Sequence, residues 1–348
     1  MTIDEIAKIA NTSKATVSLA LNNKPGVNAD TRKRILDIAA RVGYVIKKRV
    51  SSSALKHTGL LKLIAVRKPE TSGIHNFGTS FFAELINSIQ GRCAALGYNL
   101  VYTTLDFDDF VSDIWRQELS QPCDGILLIG TYLDESEIAA VSTLNTRLVV
   151  VDHSTLFEPV NTVVMNNFMG SYVAAKHLIS LGHRNIGYLR SVTRISNLEE
   201  RSRGFFKAAS DFSLAFDENN IFSVNSYLSH SVDNLCDLLK GRGQLPDAFF
   251  CENDYNAICL VSALTRLGYA IPHDISVIGF DNVPETRMMN PRLTTVAVDR
   301  NAIGVTAVNR LHQMITKEDN ISLSILVDVK LIERDSTAAC LAADHHTV

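Results

Sequence analysis

Polar side chains that can bind hydroxyl groups stand at four positions where predicted strands end or a predicted helix begins. Asp152, Asn253 and Asp281 each follow an apolar run of strand length, and Arg201 lies in the segment ERSRGFF, which we predict to precede a helix. Carboxylates accept hydrogen bonds from hydroxyl groups, whereas guanidinium and amide groups donate to hydroxyl and ring oxygens. This set of side chains is typical of a site for a polyhydroxy ligand such as a sugar.

Aromatic rings complete such a site because the apolar face of a sugar packs on them. Phe81, Phe82 and Tyr227 are the candidates in this chain. Each of the four polar residues also has a plainer interpretation as a helix cap or a strand-end turn, so the sequence leaves both roles open.

A second group of side chains, near the N-terminus, has the chemistry of DNA recognition. Residues 14–21 predict a short helix whose outward side chains are small, hydroxylated or basic, namely Lys14, Ala15, Thr16, Ser18 and Leu19. A helix that enters the DNA major groove, about 12 Å wide, cannot carry acidic or bulky groups near its N-terminal end. The first turn of such a helix also directs N–H groups at a phosphate.

Motifs of catalysis and of metal or nucleotide binding are absent from the sequence. There is no G-x-G-x-x-G after a strand, no Walker A motif, no G-x-S-x-G and no H-E-x-x-H. The six cysteines form no C-x-x-C pair, which argues against zinc and disulfides and for a reducing compartment. We therefore predict a protein without enzymatic activity, cofactor or metal site.

The N-terminus and the hydropathy pattern predict a cytoplasmic protein. The opening residues MTIDE carry acid where a signal peptide requires base followed by an apolar run. No stretch approaches the roughly 18–20 apolar residues that a membrane span needs.

Charge is divided unevenly along the chain, although the net charge is only −3. Residues 1–60 hold 11 Lys and Arg against 4 Asp and Glu, and the other residues hold 23 against 33. A polyanion is attracted to the N-terminal segment and repelled by the remainder. A solvated basic face would give the same count, so charge alone leaves nucleic acid binding undecided.

Three short predicted helices in residues 1–44 position the candidate DNA-contacting side chains of residues 14–19. Asn11 can adopt the left-handed conformation of the turn after the first helix, and Ser13 and Asn28 are predicted to cap the second and third. Two short helices joined by a tight turn form a helix-turn-helix unit. We therefore predict an all-α DNA-binding domain over residues 1–44.

Residues 61–340 alternate between strand-like and helix-like segments. Continuous apolar runs predict strands that are buried on both faces of parallel sheets. The predicted strands are residues 61–66, 99–104, 125–129, 148–151, 185–189, 248–251 and 276–280. Helices that end in a Leu-Gly pair, at Gly97, Gly182 and Gly268, separate repeated α/β units. The number of such units, about ten strands, favours two α/β lobes with a ligand cleft between them.

The N-terminal 44 residues resemble the DNA-binding head of the LacI/GalR family of transcription regulators. The resemblance rests on TIDEIAKIANTSKATVSLALN, followed by VNADTRKRI and AARVGY. It implies that Lys14, Ala15 and Leu19 read base edges. It also implies phosphate contacts for six residues, namely Thr2, Ser13, Thr16, Ser18, Asn22 and Tyr44.

Leu19 departs from the family, which often has arginine at this position. Leucine donates no hydrogen bond and can only pack, for example on a thymine methyl group. We therefore expect the operator to differ from the common family half-site at that step. The alternative is that Leu19 is partly buried against the third helix.

Residues 45–60 are basic and serine-rich and form a predicted hinge. Composition alone indicates a plain linker. The resemblance instead implies a short helix that forms on DNA, pairs with its dimer mate and wedges Leu55 into the minor groove. Ile46 stands where the family usually has proline, and Leu55 comes later than usual, so both interpretations remain open.

Residues 61–340 resemble the LacI/GalR effector domain, which is similar to periplasmic sugar-binding proteins. The matching segments include FFAELINSI, DGILLI, LISLGHRNIGYL, ENDYNA, DISVIGFDN and LIERDST. By position, the resemblance makes Asp152, Arg201, Asn253 and Asp281 ligands of the effector. The Asn166-Asn167 pair departs from the common pattern, and the sequence does not identify the effector.

These features favour a DNA-binding regulator, a repressor in our prediction, that a small molecule, expected to be a sugar, controls. One head reads few bases, so we expect a homodimer on double-stranded DNA with a pseudo-palindromic operator. The tail, residues 341–348, is too short for further coiled-coil assembly. One alternative is a sugar-binding transport protein or sensor, which does not explain the basic head. The other is an α/β enzyme, for which no catalytic set can be placed.

Overall fold

A computed structural model describes most of the chain, namely residues 3–21, 26–41, 57–67, 79–143, 147–225, 230–317, 319 and 321–340. Five predicted site residues lie outside these ranges: Thr2, Asn22, Tyr44, Leu55 and Tyr227. The tail and most of the hinge lie outside them too. Contacts divide the chain into two compact units. The first holds the described residues within 1–70, 88–163 and 304–325, and the second those within 71–87, 164–303 and 326–348.

The N-terminal head contains the helices α1 (Ile3–Ile9), α2 (Lys14–Leu21) and α3 (Ala29–Arg41). They share one small core, which comprises Ile6, Ala7, Ala10, Val17, Ala20, Leu21, Ile35 and Ala39. The predicted turn is confirmed, since Asn11 has a φ of 47°. Both predicted caps are confirmed as well. Ser13 Oγ accepts a hydrogen bond from the Thr16 N–H at 3.0 Å, and Asn28 Oδ1 accepts one from the Thr31 N–H at 2.8 Å.

The first unit contains a six-stranded sheet. Its strands are β1 (Leu60–Arg67), β2 (Asn99–Asp106), β3 (Gly125–Ile129), β4 (Leu148–Val151), β5 (Asn161–Met165) and β11 (Ser324–Val327), in the order β11-β5-β4-β3-β1-β2. The pairs among β1 to β5 are parallel. The helices between or beside these strands along the chain are α4 (Ser80–Ala95), α5 (Phe110–Ser120), α6 (Glu135–Ser142) and α11 (Arg300–Thr316).

The second unit contains another six-stranded sheet. Its strands are β6 (Ile186–Ser191), β7 (Ile221–Val224), β8 (Ala248–Cys251), β9 (Ser276–Asp281), β10 (Thr294–Ala297) and β12 (Lys330–Ile332), in the order β12-β10-β9-β8-β6-β7. Its helices are α7 (Asn167–Ser180), α8 (Ser196–Asp211), α9 (Ser231–Lys240) and α10 (Asp254–Arg266).

Burial of the strands and the ends of the helices follow the sequence patterns. Strands β3, β4, β8 and β9 are buried along their whole length, as expected for parallel strands covered on both faces. Gly97, Gly182 and Gly268 have φ values of 80°, 94° and 89°. Glycine adopts this left-handed conformation without a Cβ clash, so each Leu-Gly pair ends its helix as predicted.

Three sequence predictions differ from the structure. Arg201 does not precede a helix, because α8 begins at Ser196 and Arg201 is its sixth residue. The sheets are not purely parallel, since β12 pairs with β10 in the antiparallel direction. Strands β5, β7, β10, β11 and β12 were not predicted individually, because they are three to five residues long and polar residues leave most of them without a continuous apolar run. No helix in the described parts of the chain is both long and apolar enough to span a membrane.

Candidate functional site

The outward face of α2 carries the side chains that the head core leaves accessible. Lys14 and Ala15 are exposed, and Thr16, Ser18 and Leu19 are half-buried. The Lys14 ammonium lies 2.8 Å from Asp4 Oδ2, and both side chains are well exposed. Solvent and salt screen such surface pairs, so Asp4 holds the lysine only weakly. The face can therefore exchange this contact for one with a polyanion.

Leu19 lies at the edge of this face, beside the segment that precedes α3. A Cβ added at Gly26 would lie 3.7 Å from Leu19 Cδ1. The Arg32 guanidinium, on α3, donates a hydrogen bond to the Ala20 carbonyl at 3.2 Å and so holds the end of α2 against α3. Leu19 is half-buried, but the contact found for its side chain is with Gly26 and not with α3. Its contact with a base remains a prediction.

Arg201 lies at the centre of a buried polar cluster in the second unit. Its Nε donates to Asn167 Oδ1 at 2.9 Å, its Nη1 to the Glu252 carbonyl at 2.6 Å, and its Nη2 to Asp281 Oδ1 at 3.0 Å. The guanidinium carbon also lies 3.7 Å from the centroid of the Phe280 ring. Residues of α7, β9 and the end of β8 thus hold the guanidinium of Arg201, which α8 carries, in one orientation.

Asp281 ends β9 in a backbone conformation that side chains rarely adopt, with a φ of 117°. Its carbonyl accepts a hydrogen bond from Arg300 Nη1 at 2.6 Å, which helps to hold this conformation. Burial raises the pKa of the Asp281 carboxyl above its usual range, and the charge of Arg201 opposes that effect. Burial and the charge of Asp281 raise the pKa of the neighbouring Asp254 well above its usual range. Two carboxyl groups and two arginines therefore share this edge of the sheet.

Asn253 caps α10, so the helix-cap interpretation raised by the sequence holds for this residue. Its Oδ1 accepts from the Asn256 N–H at 2.8 Å, and its Nδ2 lies 3.3 Å from Ser191 Oγ. Asn253 directly follows Glu252, whose carbonyl binds Arg201. The structure therefore brings Asn253 to the same edge as Arg201 and Asp281.

Asp152 belongs to the first unit. It follows β4 with a φ of 62° and accepts a hydrogen bond from Thr131 Oγ1 at 2.5 Å. Burial of Tyr132 raises the pKa of its hydroxyl above the usual range, and the charge of Asp152 adds to this effect. This polar strand end resembles that of Asp281, but it is placed in a different unit of the chain.

Phe81 and Phe82 lie on the segment of α4 that belongs to the second unit. Their rings meet edge to face at a centroid distance of 5.3 Å, and the Arg300 guanidinium lies 5.6 Å from the Phe81 ring. Only 8% of Phe81 and 6% of Phe82 is exposed. The rings therefore offer a ligand little surface in this conformation.

Sequence reasoning missed two residues of the cluster, Asn167 and Glu252. Asn167 is buried, binds Arg201 and donates from Nδ2 to Asn197 Oδ1 at 3.1 Å. Glu252 is fully buried and accepts hydrogen bonds from the Tyr188 hydroxyl, the Ser191 N–H and Arg194. In the sequence, Asn167 stood out only because the Asn166-Asn167 pair departs from the family pattern. The only sign of Glu252 was its position directly before Asn253.

Family comparisons assign both parts of the chain. Residues 2–46 match the family described as bacterial regulatory proteins, lacI family. Residues 175–337 match the family described as periplasmic binding protein-like domain.

Full-length relatives agree with these matches. The chain is 28% identical over 337 residues to the HTH-type transcriptional repressor PurR of Mannheimia succiniciproducens, covering 96% of this chain and 98% of the relative. It is 29% identical over 340 residues to the probable HTH-type transcriptional repressor ExuR of Bacillus subtilis, covering 97% and 98%. The solved complex of the transcriptional regulator CelR with cellobiose shares the fold, with a TM-score of 0.72 at 22% identity over 97% of this chain and 99% of that one.

The helix-turn-helix head and the two α/β units define a DNA-binding transcription regulator with a body of the periplasmic-binding-protein type. The chain thus joins a head that matches the lacI family of bacterial regulatory proteins to a periplasmic-binding-protein-like domain, and it is similar over nearly its whole length to transcriptional repressors. The lacI family consists of transcription regulators and not of enzymes.

Proposed function

We propose that this regulator is a homodimeric, cytoplasmic repressor that binds a pseudo-palindromic operator and responds to a sugar or sugar derivative. Residues 1–44 bind DNA, residues 45–60 form the hinge with Leu55 as its wedge, and residues 61–340 bind the effector and dimerise. The curated relatives PurR and ExuR, which align over nearly their whole length, are both named as repressors, and this supports the direction of control.

The observation that carries the DNA-binding proposal is the composition of the accessible face of α2. Within the face from Lys14 to Leu19 the chain places one cation, two hydroxyl groups and two small or apolar side chains, and no acid. An α-helix with this face can lie in the major groove, where lysine and hydroxyl groups contact bases and phosphates. Thr2, Asn22 and Tyr44 are proposed phosphate contacts by the family resemblance alone.

The observation that supports a polyhydroxy effector is the cluster around Arg201 and Asp281. A buried guanidinium and a carboxylate, held 3.0 Å apart at the end of β9, can donate to and accept from neighbouring hydroxyl groups of one sugar. Cellobiose in the CelR complex is a ligand of this chemical type on the same fold. Asn253 supplies an amide at the same edge, and Asp152, Tyr227, Phe81 and Phe82 remain predicted contacts.

A mobility-shift experiment tests the DNA-binding proposal. The purified chain is mixed with DNA from upstream of its own gene at low salt, and the titration is repeated at rising salt. We expect a shifted complex on a fragment with a pseudo-palindrome, and an affinity that falls steeply with salt because counterions are released. Failure to shift any DNA at low salt contradicts the proposal.

A thermal-shift screen tests the effector proposal. The chain is heated with a panel of sugars, sugar acids and nucleobases, and we expect at least one sugar or sugar acid to raise the unfolding temperature. Asp281→Asn should weaken that ligand at least tenfold, because the amide donates where the carboxylate accepts. Asp335→Asn is the matched control, since Asp335 pairs with Arg292 on the exposed surface and the variant should bind normally. A response to nucleobases alone, or equal binding by both variants, contradicts the proposal.

A further inference from the structure

Three side chains that are far apart in the sequence converge at one place in the second unit. They are His183, which follows α7, Asp247, which precedes β8, and Cys340, which follows β12. One ligand atom of each lies within 4.8 Å of the other two. His183 Nδ1 is 3.0 Å from Asp247 Oδ1, and Cys340 Sγ is 4.0 Å from Asp247 Oδ2.

The second nitrogen of the imidazole shows which way His183 presents its lone pair. His183 Nε2 lies 3.1 Å from the Ala338 carbonyl oxygen and 3.1 Å from Ser276 Oγ. A carbonyl can only accept a hydrogen bond, so the contact with Ala338 favours the tautomer in which Nε2 carries the hydrogen. In that tautomer Nδ1 directs its lone pair at the Asp247 carboxylate. Two electron-pair donors at 3.0 Å require a positive charge between them, either a proton or a metal ion.

We propose that His183 Nδ1, Asp247 and Cys340 Sγ form a binding site for a Zn²⁺ ion. A histidine that ligates a metal generally donates its other N–H to a carbonyl or carboxylate, as His183 does to Ala338. A thiolate, an imidazole and a carboxylate form a ligand set that suits Zn²⁺. Nothing in the sequence pointed to this site, because a C-x-x-C search detects only ligands that are close together in the chain. Here each ligand comes from a different part of the chain.

Small movements would bring the three groups around one tetrahedral ion. Metal-ligand distances of about 2.0–2.3 Å place neighbouring ligand atoms about 3.4–3.6 Å apart. His183 Nδ1 lies 3.0 Å from Oδ1 of Asp247 and Cys340 Sγ lies 4.0 Å from Oδ2 of the same carboxylate, and the ligand atoms of all three residues lie within 4.8 Å of one another. His183 is buried, whereas Asp247 and Cys340 are half-buried, so an ion can enter from solvent and keep a water in the fourth position.

Zinc at this position would fasten the C-terminal segment to the body of the second unit. The Cys340 N–H already donates to the Leu181 carbonyl at 2.8 Å, and Cys340 lies beside Gly182, where an added Cβ would be in ordinary van der Waals contact with the cysteine at 3.5 Å. The ion would add bonds from the same residue to the loop after α7 and to the start of β8. We therefore expect zinc to raise the unfolding temperature of the chain.

Titration of the full chain with Co²⁺ and Zn²⁺ tests the proposal. Co²⁺ bound to a thiolate gives a charge-transfer absorption, which should appear with one equivalent of ion and disappear when Zn²⁺ displaces it. Cys340→Ala should abolish the absorption and weaken Zn²⁺ at least tenfold. Cys259→Ala is the matched control, because Cys259 is a half-buried cysteine of the same unit outside the cluster, and it should bind as the wild type does.

Two further outcomes would overturn the proposal. The first is a wild-type chain that gives no thiolate absorption with Co²⁺, which would leave a proton between His183 and Asp247. The second is a His345→Ala/His346→Ala variant that loses all zinc binding while Cys340→Ala keeps it, which would place the ion on other residues. Circular dichroism of every variant shows that a loss of binding is not a loss of folding.

Discussion

Arg201 and Glu252 are buried charged residues whose positions are fixed by several hydrogen bonds. Arg201 donates to a side-chain amide, a backbone carbonyl and a carboxylate. The carbonyl belongs to Glu252, whose carboxylate is itself held by Arg194 at 2.7 and 2.8 Å. Burial raises the pKa of Glu252 above its usual range in spite of Arg194. The guanidinium of Arg201 is therefore held in a fixed position, in which a ligand would contact it.

His153 allows a test of burial at the scale of one residue. It is 2% exposed, and desolvation lowers its pKa below the usual value of 6.5. As the pH falls below 6.5, the unfolded chain therefore binds this proton more readily than the folded chain does. Stability from this residue is present above pH 6.5 and is lost as the pH falls below it. We expect the free energy of unfolding to fall less steeply from pH 7 to pH 5 in His153→Gln than in the wild type.

Urea unfolding at several pH values measures this difference. His273 is exposed, so His273→Gln is the control and should follow the wild-type pH profile. Identical profiles for His153→Gln and the wild type would show that burial does not hold His153 neutral.

At the scale of elements, the contact between α7 and α8 positions Asn167 and Arg201 of the buried polar cluster. Gly204 of α8 faces the backbone of Phe168 in α7, and a Cβ at Gly204 would lie 2.1 Å from the Phe168 carbonyl oxygen. Asn167 lies beside Phe168, and Arg201 lies one turn before Gly204. The close approach of the two helices therefore sets the 2.9 Å contact between Asn167 and Arg201.

Gly204→Ala tests that role of the helix contact. Because backbone atoms cannot give way, we expect a loss of about 1–3 kcal/mol in the free energy of unfolding, and weaker binding of any ligand of Arg201. Gly91→Ala in α4 is the matched control, since nothing lies within 4 Å of its added Cβ. Alanine is the better helix former, so this variant should gain about 0.5–1 kcal/mol. Equal stability of the two variants in urea would contradict the account of the contact.

Elements of this chain were easier to predict than the contacts between them. The bounds of α2, β3, β4 and β8 follow from local patterns and caps that the structure confirms. Arg201 was wrongly placed before a helix because the polar segment that opens α8 has no side-chain cap. The burial of Glu252 and the meeting of His183 with Asp247, 64 residues away, depend on long-range packing. No local pattern in the sequence reports such packing.

At the scale of the whole molecule, the head and the body of the chain carry opposite net charges. Residues 1–60 carry a surplus of seven positive charges, from 11 basic and 4 acidic side chains, whereas the rest of the chain is acidic. The head can therefore approach DNA while the body is repelled by it. A single head reaches few phosphates and bases, which is the reason for proposing a homodimer with two heads on one operator.

The most direct test of this account is the operator affinity of a Lys14→Glu/Thr16→Glu variant. Acids in the first turn suit the helix dipole of α2, so the head should stay folded, while two negative groups would face the DNA. We predict a loss of about 100-fold or more in affinity, from contacts worth about 1–3 kcal/mol each. Lys240→Glu, on the exposed end of α9, should bind as the wild type does. Full, sequence-selective affinity in the double variant would contradict the central claim that α2 reads the operator.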